Sequence, residues 1–321
     1  MVGTETRNTD KVVTQTHNGV TWVDVHKPDS ETFAKLQKQY GLHPLHLTES
    51  VQKVQHTQVE REDNYLFVVL HFPVFETHTD KIWMGQVGVF LGRDFLITVH
   101  NHVSPVLQDM LLNCQHSPEQ AEQYFGKGSA YLLYRFISKL LENISGIAEF
   151  VEGELDSIEN LVFDNSASDA QRIGMVRQKI IRLRRLIGPK RMVLQDLAEQ
   201  INSFTGQDMA KYYSNNVKMV NKLWEGIEEA KETIEVYKDA DFTTSTEHTN
   251  RILAILTLIF TFTIPVTVLG TLYGMNVLLP GGIETHPWTF FGKYTTLILV
   301  AFISAGVAIG MYVYFRKKKW F

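Results

Sequence analysis

Few side chains in this sequence are arranged for bond-making chemistry. Ten of the twelve histidines lie before position 120, among them His43 and His46, and His100 and His102 on either side of Asn101. A His-x-His at a strand end offers two imidazoles to one zinc ion, but isolated pairs are usually surface or hydrogen-bonded core residues. The run His100-Asn101-His102 has neither the flanking acidic ligands nor the basic patch of a nuclease. Cys114 is the single cysteine, which excludes an internal disulfide framework and a Cys-rich zinc site. No phosphate-binding loop is present, so ATP-driven transport is unsupported, and no enzymatic activity is expected. The polar residues that do recur at a regular spacing are near the C-terminal end. From Asn250, steps of three and four lead through Leu253, Thr257, Phe260, Ile264, Thr267 and Thr271 to Gly274. Three of the five threonines between Thr257 and Thr271 fall on this seam.

The element carrying that seam is apolar. Ile252 to Tyr273 and Tyr294 to Phe315 are each 22 residues without a charged side chain, and about 20 apolar residues in a helix cross a bilayer core. Two transmembrane helices are therefore predicted. Arg251 precedes the first, and Arg316, Lys317, Lys318 and Lys319 follow the second, while the connecting segment holds only Glu284 and Lys293 as fixed charges. By the positive-inside rule both termini are cytoplasmic. The first fifteen residues are polar, so no signal peptide is expected. The predicted protein is a multi-pass component of the cell (inner or plasma) membrane, with the lipid bilayer as its partner.

Before position 250 the composition is that of a folded domain. The 321 residues carry 31 Lys+Arg against 35 Asp+Glu, and 44% are hydrophobic. A net charge of -4 argues against nucleic acid as a partner. Val20–Val25, Tyr65–Phe72, Trp83–Leu91 and Phe95–His100 read as strands, with a helix at Ser30–Tyr40 capped by Ser30. From Leu133 to Ile158 apolar residues recur at helical steps. A second helix is predicted to stop at Gly188-Pro189, followed by a short one around Met192–Ile201. From Met209 to Tyr273 proline appears only at Pro265, and Val217, Val220, Trp224, Ile227, Ala230, Ile234 and Tyr237 form an apolar seam. One helix of 65 residues is about 100 Å long. Its seam requires either oligomerisation or the preceding helices as cover.

The fold class is thus an α+β membrane protein: an N-terminal α/β cytoplasmic domain, a long helical stalk continuous with the first span, and two C-terminal transmembrane helices. The predicted domains are 1–125 (α/β), 126–249 (helical region and stalk) and 250–321 (two spans and basic tail). Two readings of the threonine seam stay open. Repeated around an axis it lines a narrow, uncharged, polar tube; alternatively the hydroxyls bond their own helix or pack on the second span.

The seam ends at Tyr273-Gly274-Met275-Asn276. Gly-Met-Asn after a tyrosine at the end of the first of two C-terminal spans resembles the signature of the CorA family of magnesium channels. So do the basic tail Lys317-Lys318-Lys319-Trp320, the early motif Gly41-Leu42-His43-Pro44-Leu45, the strand Tyr65–Leu70 and Pro265. The resemblance implies a homopentameric pore lined by the first spans, passing hydrated Mg²⁺ and, as further candidates, Co²⁺ or Ni²⁺. It places Gly274, Met275 and Asn276 at the outer mouth, with Asn276 meeting the metal's water shell. It also implies polar rings at Asn250 and Thr267, hydrophobic constrictions at Leu253 and Ile264, and cation attraction by Glu284. Thr257 and Thr271 belong to the same lining, whereas Phe260 is bulky for it.

The resemblance further implies that the acid-rich zones lie below the membrane beside the basic Arg316–Lys319 ring. These zones are Glu225–Glu247, with eight acidic residues and two lysines, and the Glu149, Glu152, Glu154, Asp156, Glu159, Asp164 group. Single acidic residues there are as readily explained as solvated faces with i,i+4 partners. Relatives sense cytoplasmic Mg²⁺ through a carboxylate early on the stalk. Here that position falls on Asn215, so a regulatory role of Mg²⁺ is expected to be weakened or relocated. Two other readings are a ZntB-like zinc transporter, disfavoured by Met275, and a non-conducting membrane-anchored sensor or scaffold.

Overall fold

The computed structural model describes residues 11–52, 58–76, 81–163, 170–275, 278, 288–292 and 294–318. Asn276, Glu284, Lys319, Trp320 and Asp164 lie outside the described residues. The chain divides into two compact units, Met1–Asp241 and Phe242–Phe321.

The first unit is built on a six-stranded mixed sheet: β1 (Val12–His17), β2 (Val20–His26), β3 (Gln58–Arg61), β4 (Leu66–Glu76), β5 (Lys81–Leu91) and β6 (Phe95–His100). The order is β1-β2-β6-β5-β4-β3, with β2 and β6 parallel and the other neighbours antiparallel. The four strands read from the sequence are the central ones. Both faces of these strands are covered, which is why they are nearly continuous apolar runs. Phe67 and Val69 of β4 point to one core with Val23, Leu36 and Leu47. Leu66, Val68 and Leu70 point to the other with Phe136 and Ile180. The two edge strands are polar and were not predicted. The first is joined to β2 by Asn18-Gly19, both at positive φ (49° and 77°), the tight hairpin turn that Asn-Gly favours.

One face of the sheet carries α1 (Ser30–Tyr40) and α2 (Pro44–Val51). The cap of α1 is Asp29 rather than Ser30: its carboxylate accepts the Thr32 backbone N–H at 2.9 Å, and Ser30 is already the first helical residue. The close seat of α2 on β5 depends on Gly88. A Cβ there would lie 2.8 Å from the Ser50 Cα, a distance that backbone must move to relieve. Gly88→Ala is expected to destabilise the fold by about 1–3 kcal/mol, measured by thermal or denaturant unfolding; an unchanged midpoint would show that α2 is not held in this close contact.

The remaining helices are α3 (Pro105–His116), α4 (Pro118–Phe125), α5 (Ser129–Phe163), α6 (Ala170–Thr205), α7 (Ala210–Gly274) and α8 (Thr295–Lys317). α3 and α4 each begin with a Ser-Pro pair, the serine capping and the proline in the first turn. α6 corrects two expectations. It runs unbroken through Gly188 and Pro189, so no helix stops there and no separate helix begins near Met192. Proline in a helix interior costs about 3 kcal/mol. Burial of Leu186, Ile187, Val193 and Leu194 on either side of it holds the helix together. Gly206 at φ 71°, just after Thr205, ends the helix.

The apolar seam of α7 is resolved as intramolecular over its first part. Val220, Ile227, Ala230, Ile234 and Tyr237 are buried, and Val217 and Trp224 pack against the same core. Tyr213 is fully buried and donates its hydroxyl proton to the Ala130 carbonyl at 2.8 Å.

Candidate functional site

α7 is a single helix of 65 residues, and its last third is one of two segments long and apolar enough to cross a membrane; α8 is the other. Within the second unit, the least exposed residues of α7 are Ala254, Leu258, Thr261, Pro265 and Leu269. The seam residues Asn250, Leu253, Thr257, Phe260, Ile264, Thr267, Thr271 and Gly274 lie on a different face and are all exposed in the single chain. Most of the other residues on this part of α7 are exposed as well.

The threonine hydroxyls are oriented by their own helix. Thr257 donates to the Leu253 carbonyl at 2.8 Å, Thr267 to Thr263 at 2.9 Å and Thr271 to Thr267 at 2.7 Å. Thr261 and Thr263 do likewise off the seam. Back-bonding was one of the two sequence readings, and it satisfies the proton of each hydroxyl without a neighbour. It also leaves the oxygen lone pairs of three seam residues available as acceptors.

At the end of the seam Gly274 is the last residue of the helix, with open space where a Cβ would stand. The Met275 amide donates to the Leu272 carbonyl at 3.3 Å, and its side chain is exposed. Asn276 and Glu284 fall outside the described residues. On α8, Arg316 and Lys317 occupy the last turn and Lys318 the C-cap, where positive charge complements the helix dipole.

Several residues of the acid-rich faces are paired, some across helices and some along α7. Glu235 and Glu228 of α7 meet Arg177 and Arg184 of α6, and the buried Lys179 bonds Glu154 at 2.9 Å. On α7 itself Lys231 and Lys238 supply partners. Sequence spacing shows same-helix pairs, whereas these partners come from an element tens of residues away. Glu152 stays above the usual carboxylate range, through burial and then the nearby Glu149, Asp156 and Glu229 charges. Asn215 is exposed and its amide donates to the Met219 sulfur, while the adjacent Asn216 is buried between Ser138 and the Tyr134 carbonyl.

The histidine pairs resolve as structure. His100 is buried, its Nδ1 2.7 Å from the His102 carbonyl and its Nε2 3.2 Å from both Asp24 oxygens. Burial alone would lower its pKa, but the Asp24 carboxylate more than offsets this and raises it. Among the described residues neither His100 nor His102 joins a group of three metal-ligating side chains, and His100 is committed to Asp24 within its own core. An acidic partner does accompany His100; it comes from β2, out of reach of local sequence reading. His43 caps α2.

A sequence model of the CorA-like Mg²⁺ transporter protein family matches residues 17–317, and the chain belongs to that family. It is 23% identical over 304 residues to the cobalt/magnesium transport protein CorA of Thermotoga maritima, covering 94% of this chain and 83% of the relative. It is 30% identical over 243 residues to the divalent cation transporter CmaX of Pseudomonas aeruginosa, covering 74% and 68%. The structure of the CorA magnesium transporter from Methanocaldococcus jannaschii superposes with a TM-score of 0.75 at 20% identity, over 94% of this chain and 92% of that one. The α/β unit, the long helix and the two apolar C-terminal helices are therefore the family's fold.

Proposed function

We propose that this protein is a homopentameric channel for hydrated divalent cations, Mg²⁺ first and Co²⁺ or Ni²⁺ with it, its pore lined by the α7 seam. The observation that carries this reading is the exposed seam of Asn250, Thr257, Thr267 and Thr271. The three hydroxyl protons are committed to the helix, so their oxygens remain available as acceptors. The inner waters of Mg²⁺ are held tightly and present hydrogen-bond donors to their surroundings. A tube of acceptors without fixed charge can receive those donors and release them again, as conduction requires. The names of the relatives, a cobalt/magnesium transport protein and a divalent cation transporter, point the same way.

In this reading Leu253 and Ile264 form apolar constrictions that gate by dewetting. Gly274, Met275 and Asn276 form the outer mouth, and Glu284 concentrates cations there. The Arg316–Lys319 ring lies on the cytoplasmic side with both termini, and the three segments 1–125, 126–249 and 250–321 are the cytoplasmic α/β domain, the helical region with the stalk, and the two spans with the basic tail. Asn215 replaces a sensing carboxylate with a neutral amide, a poor ligand for a hard divalent ion, so feedback by internal Mg²⁺ is weakened.

The test is flux into liposomes carrying the purified chain. Mg²⁺ and Co²⁺ are expected to enter, and Mg²⁺ inside the vesicle is expected to slow entry only slightly. Absence of flux for every divalent ion would overturn the channel in favour of a non-conducting sensor. Entry of Zn²⁺ alone would favour a zinc transporter, and sharp closure by internal Mg²⁺ would remove the role given to Asn215.

A further inference from the structure

One group of side chains in the α/β unit has no part in the transport reading. His46 on α2, Glu49 on the next turn and Glu60 on β3 each present one ligand atom, and these atoms lie within 4.8 Å of one another. His46 is 3% exposed. Its ring stacks on Phe67 at 4.6 Å and 14°. Its Nδ1 is 2.8 Å from the Tyr65 hydroxyl and its Nε2 2.9 Å from a Glu60 oxygen. Tyr65 is held in turn, since its oxygen accepts the His43 backbone N–H at 3.0 Å. Glu49 is positioned from two sides. Gln86 donates to its backbone carbonyl at 2.8 Å, and Gln58 donates to its carboxylate at 3.1 Å. Both carboxylates are partly exposed, so an ion can reach them from solvent.

We propose that His46, Glu49 and Glu60 form a binding site for a divalent transition-metal ion such as Zn²⁺, Co²⁺ or Ni²⁺. The donor set is one imidazole nitrogen and two carboxylate oxygens, three protein ligands that leave room for water. Imidazole suits these ions, whereas Mg²⁺ favours an octahedron of oxygens. The proton arrangement needed is available without a change in charge. With the metal on Nε2, the imidazole carries its proton on Nδ1 and donates it to the Tyr65 oxygen. That oxygen has lone pairs for both His46 and the His43 amide. A hydrogen bond at the far nitrogen is what fixes the tautomer and ring orientation of metal-bound histidines. Two carboxylates balance the ion's charge, and the ion ties α2 to the edge strand β3.

The site is tested by titrating Zn²⁺ into the full-length chain in detergent by calorimetry, with Mg²⁺ in excess to occupy all-oxygen sites. One Zn²⁺ per chain is expected, with Glu49→Gln and His46→Gln each weakening it at least about tenfold and Tyr65→Phe by about tenfold or more. Glu49→Gln changes a half-buried side chain by one atom and keeps its size, so it serves where the buried His46 variant fails to fold. With Co²⁺ as probe, the d–d absorption of a nitrogen-ligated ion should appear and be lost in Glu49→Gln. No Zn²⁺ bound in excess Mg²⁺, or wild-type affinity in a folded Glu49→Gln or His46→Gln chain, overturns the proposal. Ion flux is not the readout, so the result does not depend on whether the chain conducts.

Discussion

Replacing Asn276 by Ala is expected to abolish Mg²⁺ entry into liposomes and growth that depends on this protein for Mg²⁺. In the proposed channel, the amide carbonyls of five Asn276 side chains meet the ion's water shell at the outer mouth. Each accepts a hydrogen bond from a water polarised by a doubly charged ion. Hydrogen bonds to charged groups contribute about 1.5–3 kcal/mol, so losing even one weakens the first binding step by roughly tenfold to hundredfold. An alanine ring has no acceptor, and stripping water from Mg²⁺ is too costly to serve as an alternative route. Normal growth and normal flux in Asn276→Ala would remove Asn276 from the mouth. Folded, membrane-inserted protein at wild-type levels is the necessary control.

The second large effect lies in the cytoplasmic helices, at a lysine that no sequence argument selects. Lys190, next to Pro189, is 2% exposed and has no carboxylate partner among the described residues; its amine donates to the Leu186 carbonyl at 2.8 Å. Burial pushes its pKa down from 10.5 to about 7. The unfolded chain then binds more protons than the folded one between these values, so stability is lost as pH falls from 10.5 to 7. The wild-type chain should gain about 2 kcal/mol of unfolding free energy between pH 7 and pH 9 from this group. Lys190→Met keeps the length of the stem and removes the charge. It is expected to raise stability by about 2–4 kcal/mol at pH 7 and to flatten the pH dependence. Cys114, pushed up to about 11 by burial, and His100, raised by Asp24, act in the opposite sense over part of this range, so the comparison with Lys190→Met is what isolates the lysine. Thermal unfolding of the full chain in detergent checks this. A pH 7–9 dependence that is the same in wild type and Lys190→Met would show that Lys190 is not buried as a strained cation. Lys179 is the contrast: equally buried, but paired with Glu154.

The legible parts of this molecule are those whose signal is local. Each central strand carries its own apolar run, and the start and end of the long helix follow from uninterrupted periodicity and a single proline. The two spans are visible because a bilayer demands a length of uncharged residues within one segment. Edge strands β1 and β3 were missed because a half-exposed strand need not be apolar, although Asn18-Gly19 carried a hairpin signal for the first. Pro189 misled because propensity is a local cost and burial along α6 outweighs it.

The sequence by itself determined the class: two apolar spans, a basic tail, a polar seam and Gly-Met-Asn at its end, all readable within two helices and their flanks. Only the tertiary structure decided which residues meet across distance. It sent the early half of the α7 seam into the chain's own core and paired part of the acid-rich faces with α6. It gave His100 to Asp24 and gathered His46, Glu49 and Glu60 at one edge of the sheet. The physical reason is range. Periodicity and hydropathy are properties of neighbours in sequence, whereas ion pairs, buried charges and ligand sets depend on which surfaces the sheet and helices bring together.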